Sequence, residues 1–202
     1  MRYALATANP GKIKEMQKIL SGLDIEVVTR ENLGIEIEIE ETGTTFLENA
    51  KIKAAAICKA SGLPSIADDS GLIVDALGGR PGVYSSSFGG EKLTAEERCD
   101  YLLKKMESFK STEQRSARFA CTIVCAFPDG DIISAAGECE GSIAFKPSGS
   151  GGFGYDPVFI PEGNNKTMAE LLFEEKNKIS HRGKALGNFS ELLKSYKAGN
   201  KK

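Results

Sequence analysis

The chain has 202 residues, enough for one compact domain, or one domain folded as two lobes, with a sizeable core. An apolar fraction of 41%, a charged fraction of 27% and a net charge of −2 are ordinary globular values, and they argue against a broad nucleic-acid or membrane-surface footprint. No apolar run approaches the roughly 20 residues of a membrane span, and Met1-Arg2-Tyr3 leads into a short strand, not a signal peptide, so the expected location is the cytoplasm.

Residues 3–7 read as a short buried strand. Asn9-Pro10-Gly11 then opens a helix, with Asn9 as N-cap, Pro10 in the first helical position, and Ile13, Met16, Ile19 and Leu20 on the inner face. Residues 25–28 form a second strand, and Ile35-Glu36-Ile37-Glu38-Ile39-Glu40 alternates with the period of a half-buried strand. Thr45 and Glu48 make a capping box for a second helix, whose buried stripe is Phe46, Ala50, Ala54 and Ile57 and which Gly62 ends. An apolar run from Ser65 to Val74 is broken by Asp68-Asp69-Ser70-Gly71, and the turn-rich Gly78-Gly79-Arg80-Pro81-Gly82 follows. Thr94 and Glu97 cap a third helix, with Cys99, Leu102, Leu103 and Met106 on its apolar side. Residues 116–127 alternate as a long strand, and Asp129-Gly130 signals a hairpin into residues 131–139. A glycine-rich loop spans residues 148–154, and Ala185, Leu186, Phe189, Leu192, Leu193 and Tyr196 give the tail a helical stripe. Five cysteines, an odd number with no CxxC spacing, read as small buried hydrophobes in a reducing compartment. No repeat or linker divides the chain, so a single mixed α/β domain over residues 1–202 is expected.

Four segments carry candidate chemistry, besides the Asp-Asp run itself. Asp68-Asp69-Ser70-Gly71 delivers two carboxylates and a hydroxyl to what reads as a strand end, either a divalent-metal or general-base site or a plain acidic turn. Thr7-Ala8-Asn9-Pro10-Gly11-Lys12 runs a strand into a helix N-terminus beside a lysine, which suits an anion, although a capped helix with a solvated lysine has the same pattern. It lacks the glycine spacing and the Ser/Thr of a P-loop. Glu40-Glu41-Thr42-Gly43 places carboxylates just before a capped helix, and a hard cation such as Mg²⁺ takes one or two such ligands plus substrate phosphates. In Gly151-Gly152-Phe153-Gly154-Tyr155-Asp156-Pro157, glycines let the backbone approach a flat ligand and Phe153 offers a ring to stack on a base. Glu174-Glu175-Lys176-Asn177-Lys178-Ile179-Ser180-His181-Arg182-Gly183 holds the only histidine of the chain, which alone reads as structural, but Ser180-His181-Arg182 at a helix start gathers hydrogen-bond donors suited to carbonyl oxygens.

Collinear over nearly the whole chain, these elements resemble the inosine/xanthosine triphosphate pyrophosphatase family, the Ham1-like hydrolases of non-canonical purine nucleotides. The matching residues are Thr7-x-x-Asn9-Pro10-Gly11-Lys12, Glu41-Thr42-Gly43-x-x-Phe46-x-Glu48-Asn49-Ala50, Ala67-Asp68-Asp69-Ser70-Gly71-Leu72, Gly78-Gly79-x-Pro81-Gly82-Val83-Tyr84-Ser85, Phe153-Gly154-Tyr155-Asp156-Pro157 and Ser180-His181-Arg182. The resemblance implies an elongated mixed twisted β-sheet flanked by helices, two lobes with a central cleft, and a homodimer. It implies that residues 7–12 bind phosphate, that Glu41 and Asp69 hold Mg²⁺ with Asp69 also the base for water, and that Ser70, Phe153, Gly154, Tyr155, Asp156, Lys176, His181 and Arg182 contact the nucleotide. Two departures stand out: Ser87 replaces a customary arginine, and Leu171-Leu172-Phe173 is apolar where the family more often has a polar turn.

The implied reaction is Mg²⁺-dependent hydrolysis of ITP, dITP or XTP to the monophosphate and pyrophosphate, which removes deaminated purines from the nucleotide pool. Lys12, Lys53 and the helix N-terminus at Asn9 neutralise phosphate charge. Donors from His181 and Arg182 favour a 6-oxo purine over adenine, whose amino group would face them. Two other readings remain open: a Maf-type pyrophosphatase acting on dTTP, UTP or modified nucleotides, and a nucleotide-binding module without turnover. Retention of Lys12, Glu41 and Asp69 argues against the last.

Overall fold

The computed structural model describes residues 1–23 and 25–199. In chain order the elements are β1 (Arg2–Leu5), α1 (Pro10–Leu20), β2 (Glu26–Thr29), α2 (Phe46–Ser61), β3 (Ser65–Val74), α3 (Ala95–Lys105), β4 (Ser116–Ala126), β5 (Ile132–Ile143), β6 (Phe159–Pro161), α4 (Phe173–Ile179) and α5 (His181–Gly199). The strands form one mixed sheet in the order β2-β1-β3-β4-β5-β6, with β1 parallel to both β2 and β3 and β6 antiparallel to β5. This is the expected α/β class. No described helix is long and apolar enough to cross a membrane.

Two compact units make up the chain. Met1–Asp69, Cys121–Gly137 and the chain from Arg182 onward form the first; Ser70–Ala120 and Glu138–His181 form the second. In the first unit the sheet is covered on both faces, and period-2 alternation sorts its side chains. Tyr3, Leu5, Ile66, Cys121, Ile123 and Cys125 pack with Met16 and Leu20 of α1 and with Leu186 and Phe189 of α5. Ala4, Ala6, Ala67, Val124 and Ala126 pack with Ala50, Ala54 and Ile57 of α2. The small residues on the second face let α2 come close. In the second unit Leu72, Val74, Ala117, Phe119 and Phe159 enclose Cys99, Leu102 and Met106 of α3.

Local signals fold as their chemistry dictates. Asn9 Oδ1 accepts from the N–H groups of Gly11 and Lys12 at 2.9 and 3.2 Å, and both predicted capping boxes are closed. Gly62 ends α2 in the left-handed region at φ 68°, which glycine alone adopts without strain. The turn after β4 is closed by Phe127 N–H to Asp131 O and Gly130 N–H to Phe127 O.

Four expectations are corrected. Residues 35–40 form no strand, although Ile35, Ile37 and Ile39 are half-buried against the α2 face. The carbonyls of Ile35 and Ile37 accept from the Arg30 guanidinium, so a side chain takes the place of a neighbouring strand. The Asp-Asp pair lies at no strand end, because β3 continues through Ser70 and Gly71 to Val74. Leu192, expected in the tail's buried stripe, is 44% exposed. The segment after Leu172, read only as a motif, forms α4, with Glu175 accepting from the Leu172 N–H to close its start.

Candidate active site

Because β3 runs straight through them, Asp68 and Asp69 point to opposite faces, and the expectation of two carboxylates at one spot is overturned. Asp68 turns toward α1 and α5. Its Oδ2 is 3.0 Å from Lys12 Nζ and accepts from Nε and Nη2 of Arg182 at 3.1 and 2.9 Å. Arg182 Nη1 donates to Glu15 Oε2 at 2.7 Å, and Asp68, Arg182 and Glu15 are all buried. Burial opposes the charge on Asp68, but Lys12, Arg182 and Lys53 prevail and hold its carboxyl well below the usual range.

Asp69 turns toward α2. Its Oδ1 lies 2.8 Å from Lys53 Nζ, which also reaches Glu41 Oε2 at 2.7 Å. Burial here outweighs the lysine and raises the Asp69 pKa above the ordinary carboxylate value. Burial also works against the charge of Lys53, yet Asp69 and Glu41 keep its pKa above normal. The helix N-terminus at Asn9, with Thr7, Ala8, Pro10, Gly11 and Lys12, belongs to this same unit, and Thr7 Oγ1 accepts from Asn9 N–H at 3.2 Å.

A second cluster lies in the other unit. Asp156 Oδ2 accepts from Phe153 N–H and from Lys176 Nζ, each at 2.7 Å, and both charged side chains are buried. Lys176 Nζ also sits 4.8 Å from the centre of the Phe153 ring. Gly152 has φ 73°, and a Cβ there would overlap the Asp156 carboxylate, so only glycine admits this turn. Tyr155 is buried and its hydroxyl donates to Ser85 O at 2.9 Å, while Gly154 O accepts from Cys99 Sγ. His181 stacks on Phe119, with centroids 4.6 Å apart and planes 14° from parallel. Ser70, half-buried on β3, begins the second unit directly after Asp69.

A Ham1 family model matches residues 3–192. The chain belongs to the Ham1 family. A Thermus thermophilus relative named dITP/XTP pyrophosphatase is 49% identical over 199 residues, which cover 98% of this chain and 93% of that protein. A Bacillus subtilis protein of the same name is 47% identical over 191 residues, covering 95% and 96% of the two chains. Among solved structures, a Ham1 protein from Coxiella burnetii superposes with a TM-score of 0.87 at 42% identity, over 96% of this chain and 99% of that one. As a Ham1 member the chain is a hydrolase of the nucleoside triphosphate pyrophosphatase class.

The Ham1 resemblance expected Glu41 and Asp69 to hold a metal. Among the described residues no group of three or more His, Cys, Asp or Glu side chains is arranged for one. Glu41 and Asp69 do converge on a single cationic point, at present Lys53 Nζ. Two carboxylate oxygens meeting there suit a hard cation that completes its shell with water and phosphate, so the donor set fits Mg²⁺. Three residues escaped the sequence reading as site members: Glu15, Asn49 and Phe119. Glu15 shares the inner face of α1 with Lys12, Met16 and Ile19, and a charge in a buried stripe was the signal for it. Phe119 gave none, since an aromatic in an alternating strand reads as core.

Proposed function

We propose that this protein hydrolyses non-canonical purine nucleoside triphosphates (dITP, XTP and ITP) to the monophosphate and pyrophosphate, with Mg²⁺ as cofactor. The observation that carries the reading is the division of the Asp68-Asp69 pair. One carboxylate is locked among cations inside the fold, and the other, with a raised pKa, lies beside Glu41 and Lys53. Bound by Glu41 and Asp69, Mg²⁺ supplies charge neutralisation for the phosphates.

The α1 N-terminus and Lys12 receive phosphate oxygens, as the helix dipole and a cation at a helix start favour. Asp68, fixed by Arg182, gives Lys12 a firm anchor. The role we propose for Arg182 follows its partners: it holds Asp68, and base recognition falls to His181, Phe153 and Lys176. Asp69 accepts a proton from the attacking water, the general-base role open to a carboxylate beside the reacting phosphate. The water oxygen bonds to the α-phosphorus, the bridging oxygen to the β-phosphorus departs, and pyrophosphate leaves. Phe153 stacks on the base, and donors facing the 6-position accept an oxo group where an adenine amino group would leave them unmatched. By this reading the enzyme clears deaminated purines from the cytoplasmic nucleotide pool. We extend the reading to a homodimer, as the Ham1 resemblance implies.

Pyrophosphate release from dITP, ITP, XTP, GTP, ATP, dTTP and UTP, with and without Mg²⁺, tests this. We expect kcat/KM for dITP, ITP and XTP to exceed that for ATP by roughly a hundredfold or more, with activity lost to a chelator. Preference for dTTP or UTP would point to a Maf-type activity instead, and binding without turnover to a sensing module.

A further inference from the structure

Glu41 belongs to a stretch of backbone that forms no strand, yet it meets Asp69 of β3 at one point. Lys53 draws the two carboxylates together by charge, but a flexible ammonium does not fix a backbone. The start of α2 does. Gly43 N–H, just beyond Glu41, donates to Oδ1 of Asn49 at 2.8 Å. The N–H groups of Thr44 and Thr45 donate to Glu48 Oε2 at 2.7 and 3.1 Å. Asn49 is 3% exposed, and its Nδ2 is directed at Asp69 Oδ2 across 3.5 Å, a long contact beside the short one to Gly43.

A carboxamide suits this place because it accepts on one side and donates on the other. A carboxylate at position 49 would meet Asp69 with like charge, and an apolar isostere would leave the Gly43 N–H without its acceptor. Gly43 is matched to the contact as well. A Cβ there would stand 2.6 Å from Asn49 Oδ1 and 2.6 Å from Glu48 Cβ, so any side chain would push the loop off the helix.

We propose that Asn49 is a positioning residue for the metal-binding carboxylates: it ties the Glu41 loop and Asp69 to one point on α2. The proposal rests on the reading of Glu41 and Asp69 as Mg²⁺ ligands. Groups that orient metal ligands change metal affinity about 10–100-fold when removed. Asn49→Ala should therefore raise the half-saturating Mg²⁺ concentration for dITP hydrolysis about tenfold or more. It should weaken Mn²⁺ binding in the absence of nucleotide by a similar factor, read from the free-ion EPR signal.

Gly43→Ala leaves Asn49 in place but forces the loop away, and both metal constants should move in the same direction. It carries the test should Asn49→Ala fold poorly. Glu41→Gln serves as the reference. If Glu41→Gln shifts both metal constants and the other two variants shift neither, the positioning role is overturned and the metal reading stands. If Glu41→Gln also leaves metal binding unchanged, the metal reading itself has failed, and the role of Asn49 falls with it.

Discussion

The two faces of β3 treat neighbouring aspartates in opposite ways. On the α1–α5 face, Asp68 is almost sealed from water and has Arg182 and Lys12 for partners, so ionisation is favoured despite burial. On the α2 face, Asp69 has Lys53, which Glu41 shares, and burial prevails. A buried carboxylate held by two cations is a fixture of the fold, whereas one that shares a single lysine with a second carboxylate holds its charge less firmly. The first serves as an anchor. The second is suited to take a proton or share a metal.

Removing Arg182 attacks the anchored face, and the largest effect is expected there. Arg182→Met strands a buried carboxylate, which typically destabilises a protein by about 3–5 kcal/mol, measurable by urea unfolding at neutral pH. Asp68 has a depressed folded pKa, so its contribution is complete above the unfolded carboxylate value of about 4 and fades as pH falls through the folded value. The gap between wild type and Arg182→Met should accordingly narrow in acid. A collapse of the ITP-to-ATP preference with stability intact would instead make Arg182 a reader of the base. Lys12→Ala is expected to be milder, weakening binding of a triphosphate analogue by about 1.5–3 kcal/mol, as loss of a bond to a charged group does. The free nucleoside should be spared in calorimetry, and equal loss for both would contradict the phosphate role. Smallest is Phe153→Leu, which removes a stacking surface worth about 1 kcal/mol at the low end. It should raise KM several-fold with kcat little changed, and an unaltered KM would remove Phe153 from base recognition.

Much of this was legible in the chain because it is locally encoded. Asn9, Thr45 and Thr94 cap helices through bonds to residues a few positions away, and Asp129-Gly130 closes its own turn. Residues 35–40 show the limit. Period-2 alternation reports that one face is apolar, but it cannot report a neighbouring strand, and Arg30 supplied the donors. Asp68-Asp69-Ser70-Gly71 has turn composition, yet tertiary partners keep it extended inside β3. The pairing of Arg182 with Asp68 and Glu15 was beyond reach, since it joins distant segments and charged residues are read as exposed unless their partners are known.

Comparing Asp68→Asn with Asp69→Asn, in both kcat for pyrophosphate release from dITP and melting temperature, tests the division between the two faces most directly. In metal-free protein the raised folded pKa of Asp69 means that its ionised form opposes folding at neutral pH, a penalty relieved as pH falls through that value. Asp69→Asn should thus keep or raise the melting temperature while kcat falls about 10²–10⁴-fold, the usual worth of a general base. Asp68→Asn should lower the melting temperature by several degrees, about 2–4 °C for each kcal/mol lost, and retain the larger share of turnover. Near-normal kcat in Asp69→Asn, or a greater loss of kcat in Asp68→Asn at an unchanged melting temperature, would contradict the account.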